Sequence, residues 1–357
     1  MINLRSRVRL VAPVIALVLL GQGCLGGSSN KATGPDGGIF RTADGGDTWR
    51  QLQVINIGSK RASIANMGIV TMAVDPQDVN TLYAGTTENG VIFSNDGGES
   101  WQPATGLSVG RVNAIAVDSK AKCTVYATIA NQIMKTTTCS RDWTRIYYDP
   151  RTDKSFTTLV SDWYNPNVVY AGTNDGDILR SDNAGESWRV VHRVEGVRVN
   201  QLVMDPRDSR VLYGATQGAG LVKTTDGGQT WTSIRKEFEA FENARRPNLI
   251  VLDPSNANRV YTISKYGILQ SDNGGSSWTA LKLPTPPGTV EMKAMAVHPK
   301  DAKRIVYATN KAVIWSVDGG TTWTTKKLPT ARGAAFMLYN KAETPALFLG
   351  ASPPPSN

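Results

Sequence analysis

One octapeptide recurs along the chain and limits what it can fold into. The pattern is Ser/Thr-x-Asp-x-Gly-x-Ser/Thr-Trp, here called the box. It reads TADGGDTW from Thr42, SNDGGESW from Ser94, SDNAGESW from Ser181, TTDGGQTW from Thr224, SDNGGSSW from Ser271 and SVDGGTTW from Ser316. Asn183 and Asn273 replace the Asp in two copies, and a seventh copy, TTTCSRDW from Thr136, is degenerate. The closing residues are Trp49, Trp101, Trp143, Trp188, Trp231, Trp278 and Trp323, spaced by 52, 42, 45, 43, 47 and 45 residues. A period of this size belongs to solenoids, propellers and other repeat arrays.

The segments between boxes read as strands. An apolar run ending in Asp-Pro comes first (TMAVDP, QLVMDP, LIVLDP; AMAVHP in one copy). A second run follows, of the type TLYAGT or VVYAGT, and then a third leading into the box, such as GVIFS or DILRS. A fourth strand follows each Trp. β-branched residues and Tyr dominate, with Gly, Asn and Asp between runs. Four strands per ~45 residues match a β-propeller blade. The count also closes. The first repeat begins at its third strand (GGIFRT, 37–42), and the C-terminal runs AAFMLY (334–339) and ALFLGA (346–351) supply its missing first two. The expected fold is all-β, a seven-bladed β-propeller over residues 37–351 whose two chain ends share one blade and leave no exposed sheet edge. A composition of 40% apolar and 19% charged residues excludes a disordered chain or a coiled coil.

The box resembles the Asp-box, or BNR repeat, of sialidases, sortilin-like propellers, xyloglucanases and photosystem II assembly factors. The resemblance spans nearly all of 37–351. It implies the propeller fold and leaves function to the loops. The YAGT…G(I/V)(F/Y)(R/S) pattern is most similar to sortilin and xyloglucanase repeats.

The boxes themselves read as scaffold. Asp44, Asp96, Asn183, Asp226, Asn273 and Asp318 can accept backbone N–H bonds inside a tight turn. The Trp after each turn packs between blades. One or two carboxylates per box do not make a metal site, and no metal or other cofactor is expected. Trp163 and Trp315 lie in strand-like segments, and Trp163 offers either core or a sugar-stacking platform. Cys123 and Cys139 are equidistant from Asn131 at the centre of a hairpin, so a disulfide is expected where the box is broken.

The N-terminus reads as an export signal. Arg5, Arg7 and Arg9 precede the apolar run Leu10–Leu20, which is too short to span a bilayer. Gly21-Gln22-Gly23-Cys24 resembles a lipoprotein lipobox, with Gly21 where Leu is usual; an ordinary secretory signal is the alternative. The expectation is a signal peptide over 1–23, lipid on Cys24, a flexible tether over 24–36 and a disordered tail over 352–357. Removing the signal takes away three Arg and lowers the formal charge from +9 to +6. The mature chain is then an exported monomer of the cell envelope, on the periplasmic or extracellular side, and nucleic acid is not an expected partner.

Alternating strands put the boxes on one face. The turns between second and third strands, and the connections between blades, lie on the other. Loops of this second face are 52–68, 104–111, 146–156, 192–199, 232–247, 282–292 and 327–333. They carry Lys60, Arg61, Arg111, Arg151, Lys154, Arg193, Arg198, Arg245, Arg246 and Arg332, with Lys265, Lys293 and Lys311 as neighbours. The expectation is a basic ring at the channel mouth for an anionic polysaccharide or protein partner; an ordinary solvated surface is the competing reading. Segment 232–247 is expected to form a short helix and a partner-contact loop. For catalysis, Glu88, Asp175 and Asp177 are the candidate carboxyls, with a turn role as the alternative. His192 stands alone in a loop, and His298 replaces the Asp of an Asp-Pro turn. The sialidase Phe-Arg-Ile-Pro motif is absent, because Phe40-Arg41 is followed by Thr42-Ala43; GxSxG, Walker and HExxH motifs are absent too. The chain thus reads as a non-catalytic binding or assembly scaffold, with a sialidase-like or xyloglucanase-like glycoside hydrolase as the alternative.

Overall fold

The computed structural model describes residues 36–353. The signal, Cys24 and most of the tether and tail lie outside them. Within the described residues, seven antiparallel four-stranded sheets form the blades, and a two-stranded hairpin stands apart. Each first strand contacts the first strands of the blades on either side, in a closed cycle. First strands therefore line the channel and fourth strands form the rim.

Blade 1 pairs Ala334–Tyr339 and Leu347–Ala351 from the C-terminal part with Ile39–Thr42 and Arg50–Leu52 from the N-terminal part. Phe40 lies opposite Leu349, and the Ala351 N–H donates to the Gly38 carbonyl. Blades 2 to 7 follow from Ile69, Val112, Phe156, Val199, Leu249 and Met292, the first residues of their inner strands.

Seven hydrophobic clusters lie between neighbouring blades, and each takes one box Trp. Trp101, Trp143 and Trp278 are buried, whereas Trp49, Trp188, Trp231 and Trp323 are half-buried. Trp101 donates its indole N–H to the Leu52 carbonyl of the preceding blade at 3.2 Å. A fully buried aromatic side chain of this size is a dominant packing contribution.

The box turns are built alike. The opening Ser or Thr hydroxyl accepts the N–H four residues on, as Ser94 does from Gly98 at 2.9 Å and Thr136 from Ser140 at 3.3 Å. The acidic or amide side chain clamps the Ser or Thr before Trp: Asp96 accepts the Ser100 N–H at 2.9 Å and its hydroxyl at 2.6 Å. In Asp226 and Asp318 this hydroxyl clamp, the largest cause, lowers the carboxyl to about 2. Two successive residues of each turn have positive φ, which Gly meets without strain. In blade 3, Cys139 and Ser140 adopt this conformation without Gly.

Blade 3 also lacks the carboxylate, because Thr138 stands there. Cys123 and Cys139 are joined by a disulfide, as the sequence suggests. The Cys139 N–H donates to the Cys123 carbonyl at 3.4 Å; the same bond joins Gly97 to Asn80, Ala184 to Asn167, Gly227 to Arg210, Gly274 to Asn258 and Gly319 to Lys303. The disulfide thus doubles a link that the neighbouring blades make by backbone alone.

Three expectations need correction. Residues 52–68 are not a plain loop: Val54–Ile57 and Lys60–Ser63 pair as a hairpin, with Ile55 bridged to Trp101. His192 is not alone in a loop. It lies in the strand Arg189–Arg193 and stacks on Trp231 at 5.5 Å. Trp163 lies in a turn beyond the strand Phe156–Ser161 and donates to the Asp205 carbonyl at 2.8 Å. His298 does act as its Asp counterparts do: its Nδ1 accepts the Lys300 N–H at 3.2 Å, as Asp75 Oδ1 accepts that of Gln77 at 2.8 Å.

Candidate functional site: the connector face

The face opposite the boxes carries the connectors and both ends of the described residues, and it is uneven. Long connectors stand between blades 1 and 2 (the hairpin), between 5 and 6, and between 6 and 7. The second of these contains the 3₁₀ turn Lys236–Phe238, where Phe238 is fully buried and packs on Trp278 at 5.1 Å. The third is the proline-rich segment 281–291, flanked by two clefts of about 480 and 380 Å³ that share Pro284, Thr285 and Val290. Short connectors between blades 2 and 5 leave a lower, charged sector.

This sector brings several candidate residues into one ion-pair cluster. Lys154 Nζ lies 2.6 Å from Asp177, 3.4 Å from Asp175 and 3.5 Å from Asp149. Arg193 Nε lies 2.5 Å from Asp177, and Arg151 reaches Asp149 at 2.9 Å and Asp175 at 3.4 Å. Lys154, Asp177 and Asp149 are buried, at 3%, 1% and 5% exposure. Burial alone would raise the Asp177 carboxyl, but hydrogen bonds from Arg193 and Lys154 outweigh it and hold the group below its ordinary value. The Arg151 hydrogen bond is the largest cause lowering Asp149, to about 2. Three carboxylates and three cations offset one another, so Arg151, Lys154 and Arg193 are engaged internally. Asp177 is kept ionised and is not poised to donate a proton.

Arg332 is engaged too. Its Nε lies 3.2 Å from Asp36, whose carboxylate also accepts the Ala331 N–H at 2.8 Å, and its Nη1 donates to the Asn66 carbonyl at 3.3 Å. It clasps the start of the described chain to two connectors. The Arg245 guanidinium has one distant ion-pair partner among the described residues, Glu239 at 3.9 Å. Arg246 is exposed, as are Lys60 and Arg61, which project from the hairpin. Glu88 is exposed in the turn after Thr86, and its carbonyl accepts the Gly110 N–H at 2.6 Å. It sits in blade 2, whereas Asp175 and Asp177 sit in blade 4.

Arg111 and Arg198 stand apart from these. Each immediately precedes an inner strand, at the channel mouth. Arg198 is half-buried, and burial followed by the charge of Arg111 lowers its pKa. Neither guanidinium has a carboxylate partner among the described residues; Arg111 Nε donates to Asn113 Oδ1 at 3.1 Å. Sequence reasoning missed the bulges beside them. The first strands of blades 1, 2, 4, 5 and 7 shift register after their first residue, and in blade 3 the shift falls at the matching place, opposite Thr128 and Ile129. The bulged Asn113 and Asn200 donate to the Phe156 and Pro247 carbonyls of the following blade or its connector, at 3.0 Å each. A bulge re-aims side chains next to a site.

No family model matches the chain. A stretch of 75 residues is 32% identical to an oligoxyloglucan-reducing end-specific xyloglucanase of Emericella nidulans, which is 21% of this chain and 9% of that protein. Among solved structures, the GH74 xyloglucanase from Xanthomonas campestris superposes with a TM-score of 0.64 at 15% identity, over 80% of this chain and 51% of that one. YCF48 bound to a D1 peptide superposes with a TM-score of 0.62 at 18% identity, over 80% of this chain and 94% of that one. The chain thus spans about half the length of the GH74 enzyme and nearly all of YCF48. At these identities the likeness concerns the fold.

Proposed function

We propose that this protein is an envelope-anchored binding scaffold whose connector face holds an anionic segment of a protein or glycan partner. The single observation that carries the reading is the Arg111–Arg198 pair at the mouth of the channel: neither guanidinium has a carboxylate partner among the described residues, and Arg198 is half-buried, its charge disfavoured first by burial and then by the nearby charge of Arg111. An incoming carboxylate, sulfate or phosphate would relieve that repulsion and gain charge-assisted hydrogen bonds. Arg245 and Arg246 widen the positive field along the same face. The single-propeller length shared with YCF48 supports a scaffold, and YCF48 itself is seen with a bound peptide. In this reading residues 1–23 are removed, Cys24 carries lipid and residues 24–36 form the tether.

The test is an array of polyanions, acidic peptides and glycans, run at two salt concentrations. Binding that falls with salt and is lost in Arg111→Ala/Arg198→Ala supports the reading; binding unchanged in that variant refutes it.

A second reading, glycoside hydrolysis, is favoured by the likeness to GH74 xyloglucanases. Asp175 and Asp177 are both paired with cations in the cluster, which leaves Glu88 as the candidate for the acid. Turnover of xyloglucan oligosaccharides that disappears in Glu88→Gln would establish it.

A further inference from the structure

The box face contains a recurring junction between blades. Lys135 and Lys223, both on third strands, reach into the next blade and donate to the fourth carbonyl of its box, Ala184 at 2.9 Å and Gly274 at 2.8 Å. Arg41 and Arg180 do the same to Gly97 and Gly227. Lys326 serves Gly45 from a fourth strand at 2.8 Å. In three of these junctions a second-strand Tyr hydroxyl converges on the same carbonyl: Tyr126 at 3.2 Å, Tyr170 at 2.8 Å and Tyr213 at 3.2 Å. Each of those rings also lies beneath its cation, at 5.1 to 5.6 Å.

Between blades 2 and 3 the cation is missing. Phe93 stands at its position, paired across the strands with Tyr83 as Lys135 is with Tyr126. Among the described residues, the Cys139 carbonyl and the Tyr83 hydroxyl have no hydrogen-bond partner, and the fully buried Ser140 hydroxyl is unpaired. A cleft of about 420 Å³ opens there instead. Its walls include these three residues, Asp75 and Asp78, with the exposed Lys122 and Arg141 on the blade 3 side. Asp75 is 2% exposed and has no ion-pair partner within 4 Å among the described residues. The junction of blades 6 and 7 also lacks a third-strand cation, since Gln270 stands there. In that junction Arg259 already neutralises the acidic groups, lying 3.6 Å from Asp253 and 2.6 Å from Asp272.

We infer that the blade 2–blade 3 junction is a socket for an alkylammonium or alkylguanidinium group supplied from outside the chain, filling the place that Lys135 and Lys223 fill in neighbouring junctions. The cation donates to the Cys139 carbonyl and the Tyr83 oxygen and lies over the Tyr83 ring, with Asp75 and Asp78 balancing its charge. Burial pushes the Asp75 carboxyl above its ordinary value, so a cation beside it returns the group toward its charged form. Lys122 and Arg141 favour a ligand whose neighbouring group is anionic. The site lies on the face opposite Arg111 and Arg198 and does not depend on the reading of that face.

The test titrates the full chain with n-butylammonium, propylguanidinium and, as the uncharged control, 1-butanol, following the Cys139 and Ser140 amides by NMR. A blocked Glu-Lys-Glu tripeptide forms a second arm. Saturable shifts with the two cations and not with butanol are expected; tighter binding of the tripeptide assigns the cation to a partner's lysine, and equal binding assigns it to a free amine. Phe93→Lys should fill the socket from within and weaken binding by about tenfold or more, and Asp78→Asn should weaken it severalfold. If Phe93→Lys does not fold, Tyr83→Phe replaces it. No saturable shift with either cation, an equal response to butanol, or unchanged affinity in the variants would overturn the proposal.

Discussion

The two faces of the ring are built on opposite rules. On the box face one turn is repeated with the same hydroxyl-to-amide bond in each blade, and each turn delivers a Trp to the cluster between blades. On the connector face no two connections are alike, and charge is locked into a buried cluster, paired singly as Arg332 is with Asp36, or left without a carboxylate partner among the described residues, as in Arg111 and Arg198. The comparison teaches that the repeated part of the sequence encodes the ring, while the part that escapes the repeat holds the chemistry available for binding.

The largest effect should come from breaking the repeated side. Trp101→Ala removes a fully buried indole that packs against Ile39, Leu52 and Ile55, and should lower unfolding free energy by about 3–5 kcal/mol in denaturant titration. Lys154→Met breaks the buried cluster of the other face. It leaves Asp177 and Asp149 short of a cation and should cost about 3 kcal/mol, with the fold retained. Replacing Cys123 and Cys139 by Ser opens a link across 16 residues and should cost up to about 3 kcal/mol; adding Thr138→Asp together with Asp142→Ser to that variant should recover part of the loss by building the clamp that the other boxes have.

Acid acts on both faces, since Asp226 and Asp318 in the boxes are lowered to about 2 like Asp149, and Lys154→Met separates the contribution of the connector cluster. Asp149 is lowered to about 2 and Asp177 is lowered as well. A depressed folded-state pKa contributes stability that is present above the unfolded value, near 3.9, and is lost as pH falls through the folded value. Stability followed from pH 6 to pH 2 should therefore drop below about pH 4, and less steeply in Lys154→Met. The smallest effect should be that of Arg111→Ala/Arg198→Ala, which removes no ion pair and should change stability by less than about 0.5 kcal/mol while altering binding.

The ring was legible because its evidence is local and repeated: the box spacing, the Asp-Pro turns and the two C-terminal runs that complete blade 1. The disulfide was legible for the same reason, since both Cys flank one hairpin. The hairpin at 54–63 carries a short sequence signal, the alternation of Ile55 and Ile57 before Gly58. The ion-pair cluster was not legible. Asp149 and Lys154 come from the connector between blades 3 and 4, whereas Asp177 and Arg193 come from paired strands of blade 4, and only the fold decides which cations meet carboxylates. The same holds for Phe93, whose place among Lys135, Arg180 and Lys223 shows only once the strands are in register.

The most direct test of the division between faces is a hydrogen-exchange footprint of the full chain with a polyglutamate probe at low salt. The account predicts slowed exchange at 111–113 and 196–200 and no change at the seven box turns. Slowed exchange at the box turns, with the connector amides unchanged, would contradict it.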